Sequence, residues 1–340
     1  MENPPRIRAQ PKTACPLCGT AGRGLYEHLP DCLFGTAGEW GFSQCPRSDC
    51  GLVWLNPVPL AEDLHLAYQS YFTHADAPAC QTAPSLTNKL LSAAYNAAAS
   101  LPRALLESRK EQQHRACMFL TDQSPGRLLD VGCGDGTFLH KMQARGWKVD
   151  GVDFDRKAIE NARVRYNLEL RHGDLASAAF ASSTFDAVTL NHVIEHVPDP
   201  AGLLAEALRV LKGGGRLVVI TPNASSLGHR LFKEAWLGLD PPRHLQVFSP
   251  QTLRTCAERA GVRSVEVWTT AAQADGFAGG SFLILEARKH PAAPPSASGV
   301  HIVRTIRSWA LRYREQSALK HDASLGEEVV LTGTKHVAAP

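Results

Sequence analysis

The sequence predicts an α/β fold built on a doubly wound, mostly parallel sheet, and three observations predict it. Between residues 124 and 270, short apolar runs alternate with amphipathic stretches, the rhythm of strand–helix–strand units. The run RLLDV (127–131) leads straight into a turn containing Gly132, Gly134 and Gly136, which then opens a helix. The chain also closes on a strand-like run, EEVVLTGTK, after a basic helical stretch near 301–319.

Taken in order, RLLDV is a first buried strand and TFLHKMQARG (137–146) a helix stopped by Gly146. WKVDGVD is the next strand, after which Asp155 caps a helix whose apolar positions are Ala158, Ile159 and Ala162. FDAVTL (185–190) is a further strand. Pro200 to Leu211 reads as a helix halted by Lys212-Gly213-Gly214-Gly215, with RLVVITP the strand beyond it. Ser249-Pro250 is a cap followed by proline and starts a helix over QTLRTCAERAG.

Around this core the chain divides into four parts. Residues 1–60 hold a cysteine-rich module, 61–123 a helical linker or lid, 124–270 the core, and 271–340 a helical insertion or lid with a final strand. In 61–123 the helical signal lies in an Ala/Leu-rich stretch from Leu86 to Leu106 and a second from Glu107 to Leu120. Hydrophobic residues at 44% and charged residues at 20% are the composition of a globular protein with a sizeable core. A formal charge of +3 is too small to imply nucleic acid. No apolar stretch follows the basic residues of MENPPRIRAQPK, so a cytoplasmic location is expected.

The glycine turn carries the first functional signal. Glycine lets the backbone turn sharply and approach a ligand without a Cβ in the way. A dinucleotide fingerprint would be G-x-G-x-x-G, but here the third glycine comes one residue early and Thr137 stands in its place. Asp130, just before the turn, suits a ligand bearing an ammonium group better than one bearing phosphates.

LLDVGCGDGTFL resembles motif I of the class I S-adenosylmethionine (SAM)-dependent methyltransferases, of the kind found in ubiquinone-biosynthetic O-methyltransferases. The resemblance runs densely over 126–223, through four motifs in order. It implies a Rossmann-like, seven-stranded, mostly parallel sheet with a helical insertion before the last strand. It also implies cofactor contacts. Asp130 would sit near the methionine part of SAM, with Gly132, Gly134 and Gly136 lining the loop beneath. Asp153 would take the ribose hydroxyls, Asp174 the adenine amino group, and Leu175 would lie beside the ring. Asn191 and His192 would close the pocket near the methyl group. HVIEH (192–196) also matches the inverted zinc-protease pattern H-x-x-E-H, but that needs a helix, and Pro198 and Pro200 break one early.

In the N-terminal module, Cys15-Pro-Leu-Cys18 and Cys45-x₄-Cys50 supply four thiolates for a structural, zinc-ribbon-like Zn²⁺ site. The wider second spacing leaves Cys32 or His28 open as a replacement ligand. Many bacterial methyltransferases resembling this chain carry such a ribbon followed by Asn-Pro-x-Pro, here Asn56 to Pro59.

On the acceptor side, His192, His196 and His244 are candidate catalytic residues, with His244 in LGLDPPRHLQVFSP the first choice for a general base. Asp240 and Arg243 offer polar contacts in the same loop. The expected function is methyl transfer to oxygen of a small-molecule, glycan or lipid-linked acceptor. The alternative is an rRNA or other nucleic-acid N-methyltransferase with a zinc module. Between Cys18 and Cys50 only Arg23 and Arg47 are basic, against Glu27, Asp31, Glu39 and Asp49, which argues against nucleic acid. The stretch 301–319 reads as an amphipathic helix, with Ile302, Ile306, Trp309 and Tyr313 on one face and Arg304, Arg307 and Arg314 largely on another. It fits a lid over the site, with peripheral membrane contact as the second expectation.

Overall fold

The computed structural model describes residues 7–68, 109–290 and 299–337. The stretch Leu86 to Leu106, read as helical, lies outside the described residues, as does the start of Glu107 to Leu120.

The N-terminal strands are β1 (Ala9–Gln10), β2 (Arg23–Leu29), β3 (Trp40–Gln44), β4 (Val53–Leu55) and β5 (Val58–Pro59), followed by a 3₁₀ turn over Leu64–Tyr68. After the undescribed stretch come helix α1 (Arg109–Ala116), β6 (Arg127–Val131), α2 (Thr137–Gln143), β7 (Lys148–Asp153), α3 (Arg156–Tyr166), β8 (Arg171–His172) and β9 (Phe185–Asn191). The second half holds α4 (Pro200–Val210), β10 (Leu211–Pro222), α5 (Leu227–Phe232), β11 (Gln246–Val247), α6 (Pro250–Arg259) and β12 (Arg263–Thr270). It closes with α7 (Ala274–Lys289), α8 (Gly299–Leu319) and β13 (Glu328–Thr334).

Seven strands form the central sheet in the order β12-β13-β10-β9-β6-β7-β8. Neighbours from β10 to β8 run parallel. Only β13 is reversed, inserted antiparallel between β10 and β12. This is the Rossmann-like sheet expected from the sequence, with α7 and α8 intervening before the last strand.

Alternation along β6 explains the two layers. Leu129 and Val131 pack with Val188, Leu190 and Val219 on one face, and Leu128 packs with Ala187, Val218 and Ile220 on the other. Because helices cover both faces, the strands read as continuous apolar runs. The caps follow the sequence. The Asp155 carboxylate accepts from the backbone N–H groups of Lys157 and Ala158, and Ser249 and Thr252 form a reciprocal capping box that encloses Pro250. The glycine run 213–215, read as the end of a helix, instead belongs to β10, whose pairing with β9 is irregular between Leu211 and Arg216. Glycine tolerates that irregularity at the edge of a strand.

The cysteine-rich module is not a free-standing unit. Its sheet has the order β11-β4-β3-β2, so Gln246–Val247, from the loop before α6, supplies the outer strand. Trp54 of β4 is fully buried among Leu129, Val188 and Leu253 of the main core.

Candidate functional site

The C-terminal ends of β6, β7 and β9 meet at one edge of the sheet, where ligands of open α/β sheets bind. The turn after β6 has Gly132, Gly134 and Gly136 all at positive φ (69°, 52° and 72°). A Cβ on Gly132 would lie 2.4 Å from the Val193 side chain, so only glycine fits there. Above Gly134 no atom lies within 4 Å of a Cβ position, which leaves a space for a ligand to approach the backbone.

Two carboxyls flank this turn. Asp130 is buried, and its Oδ1 accepts a 2.6 Å hydrogen bond from the Thr189 hydroxyl. Burial pushes its carboxyl up to about 7; the Thr189 bond opposes this and the Asp153 charge adds to it. Asp153 accepts from the backbone N–H of Gly134 and of Asp155, both at 2.8 Å, and burial raises its pKa as well. Two desolvated carboxyls beside one open turn are costly unless a positive ligand compensates them. An ammonium- and sulfonium-bearing molecule fits that requirement, and a pyrophosphate does not.

Asp174 is held by a reciprocal turn with Ser177, whose backbone N–H it receives at 2.7 Å; that bond lowers its pKa. The Leu175 side chain is buried in the core. Phe154, which the sequence reading passed over, is 58% exposed beside Asp153 and packs edge-on against Tyr68 at 5.1 Å between ring centroids. An exposed aromatic directly after the strand-closing Asp was the available signal.

At the end of β9, the Asn191 side-chain oxygen accepts from Arg115 at 3.1 Å. His192, at φ +54°, lies between two carboxylates: Nδ1 is 3.2 Å from Glu195 Oε1 and Nε2 is 2.8 Å from Glu328 Oε1. Burial alone would lower its pKa, but the bonds to Glu195 and Glu328 prevail and raise it to about 9. Burial likewise works against ionisation of the two carboxyls. His192 nonetheless brings Glu195 down to about 2, and Arg115 with His192 does the same for Glu328. His192 is therefore a fixed cation near neutral pH.

His196 and His244 differ from it. Their rings meet edge to face at 4.6 Å, and with Glu195 they bring one polar atom each to within 4.8 Å of one another. Burial, then the neighbouring His244, lowers His196 to about 4, so its ring is neutral. His244 Nδ1 lies 2.8 Å from the Gly238 carbonyl, which can only accept. Nδ1 therefore donates to that carbonyl, and Nε2 lies 4.0 Å from Asp240 Oδ2. Ile194–His196 is a single 3₁₀ turn, so HVIEH does not form the helix that the zinc-protease pattern requires.

Asp240 and Arg243 are taken up by structure. Arg243 is fully buried and bonds Asp240 through two nitrogens (2.9 and 2.6 Å), Asp31 Oδ2 (2.8 Å) and the Ala67 carbonyl (3.1 Å).

The module's sulfurs gather at one point. Cys15 and Cys50 Sγ are 3.8 Å apart and Cys18 and Cys45 Sγ 3.5 Å, with all four inside 4.8 Å. Tetrahedral Zn–S bonds of about 2.3 Å put sulfurs ~3.8 Å apart, so the donor set fits zinc. Cys32 bonds the Pro30 carbonyl and His28 pairs with Glu39, both outside the group.

The sheet order, the glycine turn and the paired acidic strand ends define a class I SAM-dependent methyltransferase domain. Residues 104–267 match a family profile described as a methyltransferase domain. The ubiquinone biosynthesis O-methyltransferase of Aeromonas salmonicida is 35% identical over 115 residues, 31% of this chain and 48% of that protein. Its counterpart in Thiobacillus denitrificans is 32% identical over 154 residues, 42% of this chain and 66% of that protein. The chain thus spans about half to two thirds of the length of these two curated relatives. A SAM-dependent methyltransferase structure from Archaeoglobus fulgidus aligns with a TM-score of 0.45 at 20% identity, covering 67% of this chain and 95% of that one.

Proposed function

We propose that this chain transfers a methyl group from SAM to an oxygen of a small-molecule acceptor, with glycan or lipid-linked acceptors in the same class, and that it works in the cytoplasm. The observation that carries this reading is the open turn over Gly134 flanked by Asp130 and Asp153. When bound, SAM supplies an electrophilic sulfonium methyl. Asp153 takes the ribose hydroxyls, Asp174 the adenine amino group, and Asp130 lies toward the methionine ammonium. Asn191 and the cationic His192 border the methyl end.

Methyl transfer is an in-line displacement, so alignment and exclusion of water are the protein's main contributions. An oxygen nucleophile must also lose its proton. His244, its Nδ1 held by the Gly238 carbonyl and its ring set edge to face against neutral His196, is the base in this proposal. His192, already protonated, positions Glu195 instead.

The four cysteines Cys15, Cys18, Cys45 and Cys50 are assigned to structural zinc. Four thiolates would leave no open coordination position, so a zinc held by them would brace the module against which β11 and Arg243 are held.

Incubation with tritiated SAM and fractionated lysate tests the function. Label in small molecules, glycans or lipids supports it, and label confined to RNA overturns it.

A further inference from the structure

Helix α8 sets Leu311 against the core but presents a second apolar stripe outward. Toward the core it buries Ser308, Arg312 and Glu315. Arg312 Nη1 lies 2.9 Å from Asp275 Oδ1 on α7, and Glu315 Oε1 accepts the Glu327 backbone N–H at 2.7 Å. Outward it presents Val303 (57% exposed), Ile306 (57%) and Tyr313 (62%), with Ala310 also exposed between them. At 3.6 residues per turn these four positions fall within an arc of ~80°. Exposed Arg307, its guanidinium 5.3 Å from the centre of the Phe282 ring on α7, and Arg314 border that arc on one side, and half-buried Trp309 borders it on the other. Ile302 falls outside the residues whose side chains are described.

Single exposed apolar residues are ordinary, but an aligned stripe of them on a helix already anchored by its polar side is not. The ionised groups that α8 itself presents outward have one sign. From Arg288 to Lys320 the only acidic residue is Glu315, and it is turned inward; the nearest acid beyond that span, Glu286 on α7, pairs with Arg304 at 3.9 Å. Among the described residues no helix is long and apolar enough to cross a membrane.

We propose that α8 rests on an anionic lipid surface. Val303, Ile306 and Tyr313 enter the headgroup boundary, and Arg307 and Arg314 meet lipid phosphates. A basic flank beside an aliphatic and tyrosine stripe is the pattern of a helix lying in the membrane plane. Two other occupants fit the charge less well. A second copy docked on the same face would set arginines against arginines. Residues 69–108 carry two acids (Asp76, Glu107) against two bases (Lys89, Arg103), which leaves no excess negative charge to meet them. None of the proposed lipid-contacting residues belongs to the cofactor edge or to the His196–His244 pair, so this inference stands or falls apart from methyl transfer.

Co-sedimentation of the full chain with vesicles tests it, using phosphatidylcholine alone and phosphatidylcholine mixed with phosphatidylglycerol. Binding is expected to the mixed vesicles only and to weaken with added salt. R307Q/R314Q should weaken it by roughly 10–30-fold, on the usual contribution of about 1 kcal/mol per basic residue near an anionic surface. V303S/I306S/Y313S should abolish it. SAM affinity, measured in parallel, should stay unchanged in both variants; if the triple variant fails to fold, R307Q/R314Q decides alone. Absence of wild-type binding, or binding that survives both variants, overturns the proposal. So does a serine variant that halves the solution mass of a protein that ignores vesicles, which would make the face a contact between copies.

Discussion

The Arg243 guanidinium reaches Asp31 at 2.8 Å across 212 residues of sequence, and both side chains are buried. Asp31 also accepts the backbone N–H groups of Leu33, Phe34 and Thr36, so one carboxylate organises the module's loop and fastens it to the loop that carries His244. Asp31→Ala removes a partner from a buried charge and should destabilise the protein by about 3–5 kcal/mol in chemical denaturation. A loss under about 1 kcal/mol would mean that the two loops hold together without the pair.

In the proposed function Asp153 takes the ribose hydroxyls. Asp153→Ala should weaken SAM binding by about 1.5–3 kcal/mol, the scale of hydrogen bonds to a charged group. Calorimetry checks this, with the melting temperature measured alongside because Asp153 also receives the Gly134 N–H. Unchanged affinity would remove Asp153 from the ribose role, and NADH binding tighter than SAM would overturn the cofactor assignment.

Elemental analysis of protein purified without chelator should find about one zinc per chain. Cys50→Ser should lower zinc occupancy, while Cys32→Ser, whose sulfur points to the Pro30 carbonyl, should leave it intact. The reverse pattern would place Cys32 in the ligand set.

His244→Ala should lower the methyl-transfer rate by about 10²–10⁴-fold and leave SAM affinity nearly unchanged. Loss of SAM binding would show that His244 supports the pocket. An unchanged rate would point to an acceptor that arrives already deprotonated.

The His192 network predicts a pH dependence of stability. His192 is raised from 6.5 to about 9, so its contribution is complete below about pH 6.5 and is lost as pH rises through 9. Glu195 and Glu328 are lowered from 4.5 to about 2, so theirs is complete above about pH 4.5 and is lost as pH falls through 2. Thermal melts of His192→Asn should show a flatter alkaline limb than the wild type. An identical limb would mean that His192 is not the group that titrates.

What the sequence determined by itself is local. The glycine turn, the strand ends at Asp130 and Asp153, the caps at Asp155 and Ser249, and the four gathered thiols all follow from backbone sterics and hydrogen bonding within a few residues, or from ligand chemistry. The alternation of strands and helices along the chain was legible for the same reason, because each strand–helix–strand unit carries its own periodicity, whereas the order of strands across the sheet was not.

The tertiary structure decided what depends on distant partners. Gln246–Val247 is too short to read as a strand and became one by pairing with β4. Arg243 looked free to meet an acceptor until Asp31 and the Ala67 carbonyl occupied it. His192, one of the three candidate catalytic histidines, is set between Glu195 and Glu328, the latter 136 residues away. The stripe on α8 looked like a packing face, but the ion pair with Asp275 and the contact with Glu327 turn the polar side inward. In each case the deciding partner is brought near only by folding, and burial then gives its charge an effect that no local pattern encodes.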